Sequence, residues 1–295
     1  MSSDCKYTLD LCNSLPKFDK SVSLVCWAHN EEELIEDFLI RIHNLLEKNI
    51  ADYEIIVVDD GSTDQTNAII RRLQEQIPPI NLIVNSNNLD VAGAAIIAIK
   101  SAKKEYLFWQ TIDWSYDITF LRIFLELLKT NDIVAGVRRE PVMAVDKIVK
   151  PVLAVTKLFG YKHITKRSDT IPKALVSIIN YLIIRLLFRI ELSDFQNIVF
   201  YPTEMLQSIE MEANSSFGNP EFLIKSYWKG ASIREVPISF IPRKAGVAKG
   251  TRFKAIRSSV SDIFRLWFKW VVLGKRDFMK NGTIHRLNPD EWEKL

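Results

Sequence analysis

Between residues 22 and 137 the chain alternates between two hydrophobic periods. Short runs of four to seven apolar, often β-branched residues read as buried strands, at 22–27, 53–58, 80–84, 106–109 and 132–137. Longer stretches between them repeat their apolar residues every three or four positions and read as helices. The first starts at Asn30-Glu-Glu-Glu-Leu and carries Leu34, Ile35, Phe38, Ile42, Leu45 and Leu46 on one face. The second carries Ala68, Ile69, Ile70 and Leu73, with Ser62 and Asp64 as N-cap candidates. Small residues at 91–102 and apolar residues at 118–128 give two more. Strand and helix in strict alternation predict an α/β fold, with a mostly parallel central sheet flanked by helices.

Past Arg138-Arg139 this pattern stops. Residues 140–170 are basic and without clear period, which predicts a long mobile loop. A helix is expected over 172–190, with Leu175, Ile179, Leu182, Ile183 and Leu186 as its apolar stripe and Lys173, Ser177 and Asn180 opposite. A further helix at 221–229 leads to a strand at 233–240, expected at a sheet edge because Pro237 cannot donate to a ladder. Drawn as a helix, 263–273 sets Arg265 and Lys269 together and Phe264, Trp267, Trp270 and Val271 elsewhere, an amphipathic segment suited to a membrane interface or to capping a core. The expected organisation is an N-terminal extension (1–20), one α/β domain (21–255) and a basic amphipathic C-terminal segment (256–295).

Charge changes this picture more than composition does. The 295 residues are 47% hydrophobic and carry a formal net charge of +3. Yet residues 1–137 hold 12 basic and 21 acidic groups, 138–189 hold 11 and 3, and 241–280 hold 11 and 2. The back half should face an anionic partner, a lipid phosphate or a charged substrate, and no nucleic acid is expected. Cys5, Cys12 and Cys26 lack metal-site spacing and are odd in number, so neither a zinc site nor a disulfide framework is indicated, and a reducing compartment fits. The polar first twenty residues do not resemble a secretory signal, and no run of about 18 uncharged apolar residues suggests a membrane span.

Chemistry gathers where the second strand ends, at Asp59-Asp60-Gly61-Ser62. Ligands of open α/β sheets sit beyond the carboxyl ends of the strands. Two adjacent acids there repel a bare phosphate and suit ribose hydroxyls, a base N–H or a cation; the alternative is that they only cap the next helix. Asp113, after the fourth strand in Thr111-Ile112-Asp113, is either a cation ligand or an N-cap.

Strand, Asn30-Glu31, Val57-Val58-Asp59-Asp60-Gly61-Ser62-Thr63-Asp64, Asn88 with a small-residue helix, and an Asp-containing strand end together resemble the family 2 inverting glycosyltransferases of GT-A fold. Glu235-Val-Pro-Ile followed by Arg243-x-x-Gly246-x-x-Lys249 is similar to their dolichyl- or polyprenyl-phosphate sugar synthase branch. The resemblance covers roughly residues 20–255.

It implies a Rossmann-like nucleotide-diphospho-sugar transferase. Trp27, His29, Glu31, Asp59 and Asp60 would then surround the donor nucleotide, although Trp-Ala-His-Asn-Glu stands where the family has Pro-x-Tyr-Asn-Glu. Asp113 would hold Mg²⁺ or Mn²⁺, although Thr111 replaces the first acid of the family's Asp-x-Asp. Arg138, Lys173 and Ser177 match acceptor-phosphate positions; Arg243 and Lys249 match diphosphate or phosphate ligands. Asp194, Gln196 and Asn197 match a pocket motif whose plain reading is a turn.

Glu221 matches an acid that serves as general base in relatives acting on hydroxyls, which need deprotonation, whereas an anionic phosphate does not. The expectation is therefore sugar transfer from a nucleotide-sugar to a polyprenyl phosphate. It would take place peripherally on the cytoplasmic face of the membrane, with an integral membrane protein as a partner. Transfer to a glycan hydroxyl, and a catalytically weak nucleotide-sugar or membrane-binding protein, are the alternatives.

Overall fold

A computed structural model describes residues 16–116, 118–119, 121–139, 171–195, 197–239, 253–275 and 280–286. Eight strands form one sheet in the order β3-β2-β1-β4-β6-β5-β7-β8. They are β1 Val22–Ala28, β2 Tyr53–Asp59, β3 Ile80–Val84, β4 Tyr106–Trp109, β5 Ile133–Arg139, β6 Val199–Pro202, β7 Ser232–Ser239 and β8 Thr283–Arg286. All pairs are parallel except those of β6, which runs against both β4 and β5. The connecting helices are α1 Ile35–Asn49, α2 Thr66–Gln76, α3 Asp90–Ser101, α4 Leu121–Leu127, α5 Ile171–Phe188, α6 Thr203–Gln207, α7 Gly218–Trp228 and α8 Phe253–Trp267. A π-helical turn, Phe268–Val272, extends α8.

Alternation along each strand feeds two cores, one on each side of the sheet. Leu24, Cys26, Ile55 and Val57 meet Ile35, Phe38, Leu39, Ile42 and Leu46 of α1 on one side. On the other, Val25, Ile56 and Val58 join Ala94 and Ala98 of α3, Ile184 and Phe188 of α5, Leu223 of α7 and Ile263 and Leu266 of α8. Each fully buried Ile or Val contributes about 1.5–3 kcal/mol, so this double layer holds the strand ends in place. Cys26 is one of these packing residues, and burial pushes its thiol well above the usual range. β5 approaches the residue before β6 so closely that a Cβ on Gly136 would lie 2.9 Å from Ile198 Cγ2.

Three details differ from the sequence reading, at β7, α5 and Ser62, and two alternatives that it left open, at Trp270 and Asp113, are narrowed. β7 is not an edge strand, since β8 pairs with Ser232 to Glu235; that pairing stops short of Pro237, which is how the ladder tolerates the proline. Ile179 (54% exposed) and Leu186 (77%) face outward, and α5 buries Ile184 and Phe188 instead. Trp270 is in the core at 2% exposure, against Phe188, Phe217 and Trp228. The π turn adds a residue to the helical repeat, which rotates everything after Phe268 away from a 3.6-residue projection. Ser62 does not cap α2: its Oγ accepts the Asn30 N–H, and Asp64 Oδ1 accepts that of Thr66. The fourth helix begins at Leu121, so Asp113 is not its N-cap. Residues 140–170 lie outside the described chain, whereas α8 and β8 add to the same core and sheet as the rest.

Candidate active site

β1 lies between β2 and β4, with Ala28 opposite Asp59 and Val25 opposite Trp109. Three successive strand ends therefore bring His29, Asp60 and the Gln110–Asp113 turn to one edge. β6 arrives there from the opposite direction. Its antiparallel pairing with β4, supported by Phe108 stacked on Phe200 at 4.2 Å, carries the residues before Val199 to that same edge. Asp194 and Asn197 thus join the carboxyl ends of β4 and β5.

The two adjacent acids hold different turns. Asp59, 1% exposed, accepts the Ser62 N–H at 3.1 Å and the Asn67 amide at 2.7 Å, closing the turn into α2. Asp60 accepts the Asn85 side-chain amide at 2.8 Å and the Leu89 N–H at 3.0 Å, tying the β3–α3 turn to β2. Gly61 makes this possible: its φ is +70°, and a Cβ there would lie 2.9 Å from the backbone of Asn87. His29 Nδ1 lies 2.9 Å from the Asp60 carbonyl. A carbonyl only accepts, so Nδ1 carries a proton and donates this bond, which leaves Nε2 as the ring nitrogen not used in it.

The loops after β1 and β2 are latched reciprocally. Asn30 Oδ1 accepts the Thr63 N–H, Glu32 Oε2 accepts that of Gln65, and Thr66 Oγ1 accepts that of Glu31. Glu31 and Trp27 are half-buried at this edge. Asn30, Asp90 and Trp114 all adopt positive φ (56°, 60° and 53°). Left-handed backbone at non-glycine residues is costly and gathers at sites that hold ligands.

Asp113 Oδ1 accepts from the Ser115 hydroxyl at 2.6 Å and the Ser115 N–H at 3.2 Å. Gln110, nearly buried, braces the turn from within by donating to the Tyr116 carbonyl and accepting the Thr111 N–H. Trp114 is pinned to α1 by Phe38, with the Arg41 guanidinium 4.5 Å from its ring centre. Among the described residues no group of three or more His, Cys, Asp or Glu side chains could hold a metal ion. The donor set is one carboxylate with a neighbouring hydroxyl. That fits Mg²⁺ or Mn²⁺ only as a cation that takes most of its oxygens from a bound diphosphate and water.

On the other side of the edge, Asn197 donates to Asp194 Oδ2 at 2.6 Å, both residues being buried. Arg138 is the last residue but one of β5, opposite Ile238, and Lys173 and Ser177 sit in the first two turns of α5; the side chains of all three are outside the description. Gln196, Arg243 and Lys249 lie outside the described residues altogether.

Glu221 stands in the first turn of α7, fully buried. Its carboxylate accepts the N–H groups of Glu212 and Ala213, each at 2.8 Å, and pairs with Lys225 at 2.6 Å. Burial raises its carboxyl above the ordinary value, and Lys225 and the two amides offset part of that. Glu212 accepts from Trp270 Nε1 at 2.9 Å and pairs with Lys225 and Lys269. Burial works against its charge, but Lys269, Trp270 and Lys225 outweigh it and hold the group below the usual carboxylate range. Sequence reading missed Glu212 and Asn85, which carry no local signal. Lys225 at i+4 from Glu221 was a visible one.

Residues 23–189 match the model of Glycosyl transferase family 2, more than half of the chain. Glycosyltransferase AglD of Haloferax volcanii is 25% identical over 258 residues, 85% of this chain and 38% of the relative. A dolichol-phosphate mannosyltransferase of Pyrococcus furiosus is 29% identical over 118 residues, 40% of this chain and 33% of the relative. The chain thus spans well under half the length of these curated relatives. Among solved structures, glucosyl-3-phosphoglycerate synthase of Mycobacterium tuberculosis with uridine diphosphate superposes with a TM-score of 0.55 at 16% identity, over 88% of this chain and 83% of that one. The same synthase with Mn²⁺, UDP-glucose and phosphoglyceric acid gives 0.54. The fold is therefore GT-A, a mostly parallel sheet between helical layers.

Proposed function

The chain belongs to glycosyl transferase family 2, and we propose that it moves a sugar, with inversion, from a nucleotide-sugar to a polyprenyl phosphate at the cytoplasmic face of a membrane. The observation that carries the donor half is the convergence of His29, Asp60 and Asp113 at three neighbouring strand ends. Trp27, Glu31 and Asp60 border the nucleotide in this reading, and His29 bonds it through Nε2. Asp59 shapes the turn beneath them through Ser62 and Asn67.

The acceptor phosphate oxygen attacks the anomeric carbon from the face opposite the leaving group. The bond to the donor β-phosphate breaks, and its electron pair departs with the nucleoside diphosphate. Charge gathers on that diphosphate, so catalysis consists of positive groups placed to receive it. Arg243 and Lys249 fill that role in this reading, while Arg138, Lys173 and Ser177 hold the acceptor phosphate. Asp113 would hold a divalent cation against the diphosphate, which supplies further compensation when bound. The superposed synthase binds Mn²⁺ together with UDP-glucose, which supports such a cation.

A phosphate acceptor is favoured over a hydroxyl by Glu221, whose carboxylate is wholly engaged by two backbone amides and Lys225. A hydroxyl needs a base, whereas a phosphate is already anionic. The test is nucleoside diphosphate release from a panel of nucleotide-sugars, with and without a short-chain polyprenyl phosphate. Release that depends on the polyprenyl phosphate is expected. Equal release with a glycan acceptor alone would overturn the lipid assignment.

A further inference from the structure

We infer that the outer faces of α5 and of α8 with its π turn form one docking surface for an anionic lipid bilayer. Buried Ile184 and Phe188 of α5 and Ile263, Leu266 and Trp270 of the C-terminal helix share a single core, with the rings of Phe188 and Trp270 5.8 Å apart. The two helices therefore lie on the same side of the sheet, and their opposite faces look outward together. Those faces are apolar where solvent-facing helices are ordinarily polar. Phe264, Phe268, Val272 and Leu273 are each about half exposed (47–51%), and Ile179 and Leu186 more so. Six large apolar side chains left uncovered on two neighbouring helices exceed the scattered exposure of an ordinary surface.

Charge identifies the partner. One line of exposed positions along the C-terminal helix includes Arg257, Ser261, Phe264, Phe268, Val272 and Lys275, an apolar middle with cations at both ends and Arg265 beside it. Residues 179–189 and 256–275 together hold six basic groups and one acid, Asp262, which is buried and engaged by Arg265. Arg265 and Lys269 are tied to Glu212, donating to its carbonyl and carboxylate respectively, and their side chains stay 48% and 44% exposed. Arg189, Arg257 and Lys275 are exposed and frame the apolar residues, while Arg185 is half-buried and donates to the Tyr181 hydroxyl at 3.1 Å. Basic side chains around exposed Phe, Leu and Val match phosphate headgroups above acyl chains. The two tryptophans are not part of this surface, because Trp270 is in the core and Trp267 packs against it.

This inference deepens the lipid-acceptor reading and rests on it, and its test uses vesicles free of polyprenyl phosphate so that the two fail separately. The full chain is sedimented with phosphatidylglycerol/phosphatidylcholine vesicles and with phosphatidylcholine alone, at low and high salt. Nucleoside diphosphate binding is measured on the same samples by calorimetry. Expected are recovery with the anionic vesicles, weaker recovery at high salt, and at least a tenfold loss of vesicle affinity in a Phe264→Asp, Phe268→Asp variant that keeps its diphosphate affinity. An Arg257→Glu, Lys275→Glu variant should lose binding to anionic vesicles specifically. Equal recovery in the supernatant with and without anionic lipid overturns the inference, as does a double Phe variant that binds undiminished. Concentration-dependent dimers by light scattering, abolished by the double Phe variant, overturn it in favour of a second copy of this chain.

Discussion

Acidic side chains are used in two opposite ways on the two halves of this sheet. At the end of β2, Asp59 and Asp60 accept from uncharged donors: the backbone N–H groups of Ser62 and Leu89 and the side-chain amides of Asn67 and Asn85. Behind β6 and β7, Glu212 and Glu221 are matched to Lys225 and Lys269, and Glu235 has Arg286 beside it. A carboxylate held by neutral dipoles keeps its full negative charge available to a ligand beside it. One held by lysine has that charge compensated, and moving either partner leaves the other stranded in a low dielectric. The first arrangement suits a site that receives a cation or a base N–H, and the second suits a joint. Here the joint fastens the C-terminal helix, through Lys269 and Trp270, to the loop that covers Glu221.

The largest effect that tests this contrast is expected at Glu221. Glu221→Ala leaves the Glu212 and Ala213 amides without their acceptor and Lys225 with Glu212 and the Glu210 carbonyl alone, a loss on the order of 2–5 kcal/mol that urea denaturation will register. Wild-type stability with turnover abolished would break the contrast and restore Glu221 as a base. Next comes Asp60→Ala. It leaves the Asn85 amide and the Leu89 N–H without their acceptor, on the order of 1–3 kcal/mol, and should abolish nucleoside diphosphate binding in a chain that still folds. Unchanged affinity by calorimetry would remove Asp60 from the site.

Asp113 sharpens the comparison from the metal side. Asp113→Ala, and EDTA on the parent, should each lower turnover well over tenfold. Thr111→Asp should create Mn²⁺ binding without donor, measurable by electron paramagnetic resonance, because a second carboxylate replaces oxygens that the diphosphate otherwise supplies. Full activity in EDTA would exclude a metal-assisted reaction.

Much of the donor side was legible because βα units write themselves in hydrophobic period. The strands through β5 fall within two residues of their expected positions, and α1 buries four of the six positions read from its sequence. What stayed hidden has local physical causes. β6 and β8 have only four residues each, as β4 has, but lie outside the strand–helix alternation that marked β4, and the antiparallel insertion of β6 is a tertiary choice. The stripe on α5 was misjudged because nearly every position there is apolar, so pattern could not say which side turns to the core. The distinct jobs of Asp59 and Asp60 depend on Asn67 and Asn85, one of them 25 residues away.

The smallest expected effect is one of pH, and it separates the members of the joint. Burial raises the Glu235 carboxyl above the ordinary value, against the opposing donors of Ser193 and Arg286, and raises that of Glu221 likewise. In the window between the ordinary glutamate value, about 4.3, and the raised folded one, the native state holds protons that the unfolded chain has released. Stability from these groups is thus complete below the ordinary value and is lost as pH rises through the folded one. Glu212 acts in reverse: its lowered carboxyl stabilises above the ordinary value, and that contribution is lost as pH falls through the folded one. The three together should give a shallow stability maximum near the ordinary carboxylate value. Glu235→Gln should flatten only the decline above it, since the amide cannot ionise. Urea denaturation at pH values from about 4 to 7 compares the two slopes. Identical slopes in wild type and variant would mean that Glu235 ionises as freely folded as unfolded, with Arg286 offsetting the whole cost of burial.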